Sequence, residues 1–532
     1  MKTVFKPLGL AAAVAAVTYA GAASAQTGSV SSRNVGDLGI IPYYTVQGGF
    51  ATAIHIINTS GYTQVVKLRA RRGVDSMDSL DFNLVLSPFD EWVGSMTMDS
   101  VSTGGDPAIK LTSNDTSCTA PAGVPTANGG QEWIMPSDGS VETLIDFREG
   151  AEEGYIEVIA MAQPVSESEP IAIAAKHVAG VPRDCGAVRS NFFRATPTTK
   201  GVHAPNLTAQ TCATSVACEN APAAGLELND YTDSADDALM VSWAVTDSNS
   251  GLEVGSNAVH IEGFAGEAMM SNQQVQLLGQ YDPLGYLFPD LDGGSPNIGT
   301  RGLYDGEVRP LLGASSVMND WSSRNTDSFA VATDWVVTMP GQYLMLDQQR
   351  YILSLQAEDA DAAFLICNPT NCDYRDIPVG LNITYFDREE GEFTPEEGGL
   401  VVSPAINVTP DGIALPYEVN VIEWNVDADA ILDSQYGVSF SPLFEEDRGW
   451  ARLGVTPTAL KNQAVWDYPA DPNAEGTVTP VANVAVPIVG FAAWERNFPN
   501  NSAANYGRAI DHAYGSARSE ERRVGKECRS RW

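Results

Sequence analysis

Short runs in which apolar and polar residues alternate at every second position recur along most of this chain. That period commits them to strands with one face turned inward and one outward. In Gln64-Val-Val-Lys-Leu-Arg-Ala-Arg71, the residues Val66, Leu68 and Ala70 fall on one side while Lys67, Arg69 and Arg71 fall on the other, the pattern of a half-buried strand. Similar runs are Ala51–Asn58, Leu80–Leu86, Gly154–Met161, Ile171–His177, Leu239–Val245, Ala258–Phe264, Asp334–Thr338, Tyr351–Leu355, Leu381–Phe386, Tyr417–Ile422 and Val484–Ala493. Turn signals such as Asn58-Thr-Ser-Gly61, Ser87-Pro88, Asp411-Gly412 and Asp471-Pro-Asn473 separate them. Long 3.6-residue periodicity is nearly absent, which disfavours alternating β-α-β folds. The expected fold class is all-β, with antiparallel, immunoglobulin-like β-sandwich domains, two in number.

The expected boundaries are an N-terminal sandwich over residues 35–180 and a larger C-terminal β-domain over 238–515. Residues 181–237 carry Pro, Thr, Ala and Asn, two close cysteines and the acidic run Asp230–Asp237, and read as a disulfide-stapled linker or crossover. On this division, proteolysis within Thr211–Asp237 releases two stable pieces. Val484–Ala493 is apolar on both faces, so it belongs near the centre of the C-terminal domain, covered on both sides.

The ends read differently from the middle. Lys2 and Lys6 precede an apolar run and then Ala23-Ser24-Ala25, a small-x-small cleavage site, so residues 1–25 are expected to be a secretory signal peptide. Its apolar run is shorter than the ~20 residues a membrane span needs. Residues 518–532, Arg-Ser-Glu-Glu-Arg-Arg-Val-Gly-Lys-Glu-Cys-Arg-Ser-Arg-Trp, resemble translated sequencing-adapter read-through and are set aside as an artefactual tail.

Without Cys528 six cysteines remain, an even number that suits disulfides in an exported chain. Cys212 with Cys218 and Cys367 with Cys372 close small loops, leaving Cys118 to pair with Cys185. A structural zinc is the weaker reading, because neither spacing is CxxC and the histidines are scattered.

The chain carries 31 Lys and Arg against 67 Asp and Glu, a formal charge of −36. Leaving out Lys2, Lys6 and the tail's six bases and three acids takes it to −41. Such a surface repels phosphate backbones and anionic headgroups, so nucleic acid is excluded as a partner.

Catalytic motifs are scarce. There is no GxSxG or HExxH, and His55 sits within an alternating run, as a strand histidine would. Calcium is the most defensible cofactor, since Asp- and Asn-rich turns supply the oxygens that hard cations take. The candidates are Asp247 with Asn249, Asp290 with Asp292, and Asp427 with Asp429, none of which completes an EF-hand. Asp90, Glu91 and Trp92 beside Asp334 and Trp335 form the one arrangement of acids and aromatics suited to a sugar. Packing of Trp92 and Trp335 between sheets is the simpler explanation of those two side chains.

Several segments taken together, Ile41–Gly61, Leu80–Gly94, Ala332–Gly341, Leu415–Asn425, Val486–Asn497 and Asn505-Tyr-Gly507, resemble a family of exported cell-surface proteins of Gram-negative bacteria. The resemblance covers most of residues 36–515. It implies export and a β-rich two-part build, and it brings no catalytic residue to this sequence. The expected function is a non-enzymatic protein of the periplasm, outer-membrane surface or exterior, with a structural, adhesive or envelope-associated role. Envelope components, polysaccharide or further copies of itself are its expected partners. The alternative is a secreted carbohydrate-active enzyme or carbohydrate-binding protein. Self-repulsion should weaken so acidic a fold at low ionic strength, so the melting temperature is expected to rise from 10 mM towards ~0.15 M NaCl, where screening shortens to about 8 Å. A flat response would mean the charges are too dispersed to matter.

Overall fold

The structure is a computed structural model that describes residues 28–99, 108–120, 131–134, 152–192, 231–271, 288–294, 302–344, 379–386, 392–393, 413–424, 430–439, 447–455, 464–467, 477–480 and 486–516, apart from 75, 77, 191, 235, 236, 265, 342 and 343. Cys212, Cys218, Cys367, Cys372, Asp427 and Asp429 lie outside these residues, as do the expected signal peptide and tail and the run Tyr351–Leu355.

Among the described residues the fold is all-β, with four main sheets, none of them closed into a barrel. The first sheet runs in the order Ser29–Val30, Val259–Glu262, Leu38–Thr45, Glu153–Pro164, Gln64–Arg72, Asp78–Leu86 and Cys118–Ala120, with Tyr231–Thr232 added beside Glu153–Pro164. The second runs Glu253–Asn257, Leu239–Asp247, Phe50–Asn58, Glu91–Asp99, Ala108–Thr112 and Gln131–Ile134. These two face each other as a sandwich. Ile54, Ile56 and Trp243 from one meet Leu68, Phe82 and Val158 from the other in a single buried core.

The third sheet runs Gly437–Ser439, Val419–Glu423, Ala330–Thr338, Val489–Asn497 and Tyr506–Asp511. The fourth centres on Val379–Phe386, Arg448–Val455 and Gly313–Ser322. Neighbouring strands are antiparallel in all four sheets except for Val419–Glu423 with Gly437–Ser439, which run parallel.

The third sheet is covered on both faces. Trp335, Val337, Ile422 and Ala492 pack towards the fourth sheet. Val336, Val421, Phe491 and Ala493, one position along each strand, join the core of the N-terminal sandwich. The Phe491 ring meets that of Trp243 at 4.8 Å between centroids. Val489–Asn497, which lies between Ala330–Thr338 and Tyr506–Asp511, is thus an interior strand, its apolar half Val489–Ala493 covered on both faces, whereas Val486–Pro487 of the expected run Val484–Ala493 pairs separately with Gly313–Ser322 in the fourth sheet.

Three sequence expectations are corrected. The strands Leu239–Asp247, Glu253–Asn257 and Val259–Glu262, read from sequence as the start of the C-terminal domain at 238, are hydrogen-bonded into the two N-terminal sheets. Leu239 pairs with Asn58 and Ile261 with Leu38, because these half-apolar runs complete the two sheets of the first sandwich. Residues Ile171–His177 are not one strand: Pro170–Ala175 is a short helix, begun by a proline at its first turn and made of alanine and isoleucine. Gln64–Arg72 is not half-buried. All nine of its residues are buried, because helices and loops cover the second face as well.

The expected disulfide Cys118–Cys185 is formed, tying the edge strand Cys118–Ala120 to the helix Cys185–Ser190. Because residues 239–262 are woven into the first sandwich, a cut between residues 193 and 230 should leave two polypeptides that stay together. We expect one peak on native size exclusion after limited proteolysis and two bands on denaturing gels. Separation of the pieces without denaturant would contradict the pairing.

Candidate functional site

The outer face of the strand Gln64–Arg72 carries a cluster of buried ionisable side chains. Lys67, Arg69 and Arg71 are at most 2 % exposed, and none is left in apolar surroundings alone. Glu157, Arg69 and Asp81 sit side by side on three neighbouring strands. The Arg69 guanidinium donates to Asp81 at 2.7 Å, and the Lys67 ammonium lies 3.8 Å from the same carboxylate. Arg71 reaches diagonally to Glu157, donating from Nε at 3.0 Å and from Nη2 at 3.2 Å, and gives a third bond to the Ser76 carbonyl. Diagonal cross-strand pairs of this kind lie within reach of long side chains.

The cover over this face comes from three places. Ile171, Ala174, Val188 and Phe192 of the helical segment, with Ala268 and Met270, pack over Val65, Val85 and Met161. The Met269 amide donates to the Met161 carbonyl, and Asn83 donates to the Ser271 carbonyl. Asp290 is buried beside Arg71, Arg69 and Glu157. Its burial, with the nearby Asp292 carboxylate, pushes its carboxyl up to about 7 despite the two arginines.

From this ladder a polar seam leads across to the third sheet. The Ser76 hydroxyl donates to the Glu418 carboxylate and lies 2.9 Å from the Tyr155 hydroxyl. Tyr155 accepts the Gly341 amide at 3.2 Å. The Val419 amide donates to the Gly73 carbonyl at 2.9 Å, and the Thr338 hydroxyl to the Pro42 carbonyl at 2.6 Å. Glu153 closes the seam: Ser434 donates to its Oε2 at 2.6 Å and the Gln435 amide to its Oε1 at 3.3 Å. Burial, helped by the Glu152 and Asp433 carboxylates, pushes Glu153 up to about 8 against those two hydrogen bonds.

Two histidines are held neutral in the interior. His512 donates from Nε2 to the Val336 carbonyl at 3.0 Å, and Asn319 stands 3.0 Å from its Nδ1. Burial lowers it to about 4. His260 accepts the Val241 amide at 2.9 Å, and burial holds it at about 4 as well.

The residues singled out in the sequence as a sugar site do not converge. Trp92 is fully buried in the first sandwich, edge-on to Phe82 at 5.8 Å, and folds over Gly94, where a Cβ would come within 2.3 Å of its ring. Trp335 is fully buried in the other core, against Trp424 at 4.8 Å and His512 at 5.2 Å, its indole N–H donating to the Asp320 carbonyl. Asp334 is inaccessible and accepts the Ile431 and Leu432 amides. Asp90 ties down a loop, accepting from Ser87 and Glu91 amides and lying 3.3 Å from His177. Glu91 is exposed, 3.7 Å from His55.

Of the calcium candidates, Asp247 accepts the Asn249 and Ser250 amides in a tight turn. Burial pushes it up, but the bonds from Ser250 and Asn249 outweigh this and hold the carboxyl below its usual range. Asp290 accepts the Asp292 amide, and Asp292 that of Tyr304. Among the described residues no three His, Cys, Asp or Glu side chains group closely enough to hold a metal. Compared with protein-family models, curated proteins and solved structures, the chain matches none.

Glu153 gives the seam a pH dependence whose sign is fixed. Its carboxyl titrates higher in the folded than in the unfolded chain, so the native state holds the extra proton. Stability is then fullest below the unfolded value of 4.5 and is lost as pH rises through about 8. Asp290 acts in the same direction up to about 7. The buried histidines oppose both, losing stability as pH falls from 6.5 through about 4. Between pH 7 and 8 Glu153 dominates, with a slope of up to ~1.4 kcal/mol per pH unit. Glu153→Gln keeps an acceptor for Gln435 and offers a donor to Ser434, so it should flatten the melting profile in that window. An unchanged slope would mean Glu153 is ionised in the native state.

Proposed function

We propose that the chain is an exported, non-enzymatic β-sandwich protein of the cell surface or periplasm, serving a structural, adhesive or envelope-associated role. The observation that carries this reading is the fusion of the two sandwiches through one shared sheet and a buried polar seam. An enzyme that closes on its substrate needs parts that move, whereas here Phe491, Val419 and Thr338 lock one sandwich to the other. The ionisable groups of the interior, from Arg69 to Glu153, are spent on joining strands and covers. The second reading, chemistry on sugars at Asp90, Glu91 and Asp334, draws no support from Trp92 and Trp335, which have no exposed face to offer.

Export is the part of the proposal that a direct experiment decides. Cells of the source organism expressing the chain with an internal epitope tag are fractionated, and intact cells are treated with protease. We expect the protein in the envelope or external fraction, with a mature N-terminus near Gln26 and the Cys118–Cys185 bridge oxidised. Recovery from the cytosol with Met1 retained and both thiols free would overturn the reading.

A further inference from the structure

Lys67 stands directly opposite Asn83 on two neighbouring antiparallel strands, and both side chains are fully buried on the covered face of the first sheet. Opposed residues on one face have their Cβ atoms about 4.5–5.5 Å apart, a gap that a lysine spans easily. In the same cross-strand row Ile159 flanks Lys67 and Ala120 flanks Asn83, so the sheet encloses the pair between apolar neighbours. A primary amine and a carboxamide are thus held together away from water.

Asn83 is anchored at one end only. Its Nδ2 donates to the Ser271 carbonyl at 2.8 Å, while among the described residues its buried Oδ1 accepts no hydrogen bond, an arrangement that buried polar atoms seldom show. Asp81 lies one same-face position along, opposite Arg69. Arg69 donates to its Oδ2 at 2.7 Å, and its Oδ1 is 3.8 Å from the Lys67 Nζ. An amine, an acyl group and a proton carrier therefore occupy two adjacent cross-strand pairs.

We propose that Lys67 and Asn83 condense into an intramolecular amide that ties the strand Gln64–Arg72 covalently to Asp78–Leu86. Asp81 Oδ1 takes one proton from the Lys67 ammonium, and the Nζ lone pair adds to Asn83 Cγ. The Nζ–Cγ bond forms and the Cγ–Nδ2 bond breaks, a second Nζ proton passing to Nδ2. The product leaves as ammonium after taking the proton held on Asp81, which returns the carboxylate to Arg69. Removal from water favours the uncharged, nucleophilic form of an amine. Fixed geometry supplies the effective concentration that amide formation lacks in solution. A carboxylate paired with a guanidinium resists attack by an amine, so Asp81 is the carrier and Asn83 the acceptor. Nothing in this chemistry depends on where the chain resides.

The test is a tryptic map of the purified full chain, reduced and denatured, read by mass spectrometry. Cleavage after Arg33, Arg69, Arg72 and Lys110 leaves peptide 34–69, which carries Lys67, and peptide 73–110, which carries Asn83. We expect the two joined in one species lighter by one ammonia than their sum, with no cut after Lys67. Release of peptide 34–67 in place of that species would overturn the proposal. So would a joined pair lighter by one water, which would make Asp81 the acceptor. Lys67→Met and Asn83→Ala should each abolish the joined species. In pulse-labelled chain Asp81→Asn should slow joining at least about a hundredfold, the scale of lost proton-transfer catalysis. A folded Asp81→Asn variant that joins at the wild-type rate would remove Asp81 from the reaction and overturn it as written. The wild-type map reads the bond even if every variant fails to fold.

Discussion

Burial of Lys67, Arg69 and Arg71 is the constraint around which the first sandwich is arranged. Three cations enclosed beneath helices and loops need carboxylates in register, and Asp81 and Glu157 provide them from the strands on either side. Buried ion pairs seldom add net stability over apolar residues, but removing one partner strands the other and costs about 3–5 kcal/mol. Their physical effect is therefore on register. A slip of one residue along Gln64–Arg72 would turn the three cations into the apolar core and Val66, Leu68 and Ala70 out beneath the cover. The same slip would carry Ser76 away from Tyr155 and Glu418, so the alignment of the first sandwich also aligns the seam.

Coupling between the two halves rests on a sheet with no free face. Alternate residues of Ala330–Thr338 and Val489–Asn497 enter different cores, one step along the strand moving from Val336 to Val337 or from Phe491 to Ala492. Neither core can be lost while the other keeps that sheet. Tilted aromatic pairs such as Trp243 with Phe491 add about 0.5–1.5 kcal/mol beyond the area they bury. Hydrogen bonds through Glu153, Thr338 and Val419 then fix orientation where apolar packing alone would be permissive.

Much of the fold was legible in the sequence because period two is a local property. Alternation in Phe50–Asn58 and Leu239–Asp247 marks them as strands, and the doubly apolar stretch Val489–Ala493 of the run Val484–Ala493 marks an interior one. Partnership was less legible. Nothing local to Leu239 or Ile261 says that they pair with Asn58 and Leu38, so the domain boundary was drawn too early. Polarity misled for Lys67, Arg69 and Arg71, where solvent is the usual destination of such side chains. The available signal was composition: four bases on one strand, Lys67, Arg69, Arg71 and Arg72, of a base-poor chain is a concentration that asks for partners. Trp335 could be assigned to a core from its strand context, and its burial agrees.

The late arrival of Leu239–Glu262 also dictates an order of assembly. Leu38–Thr45 sits between Glu153–Pro164 and Val259–Glu262, so its second neighbour is made some two hundred residues after it. Contacts this distant in sequence slow folding, because the loop must be closed before any pairing rewards it. Until residue 262 has emerged, the edges of Leu38–Thr45 and Phe50–Asn58 stay open to any other extended chain. A nascent molecule is thus kept unfinished through most of its first half, which is hazardous in any crowded compartment where it must wait.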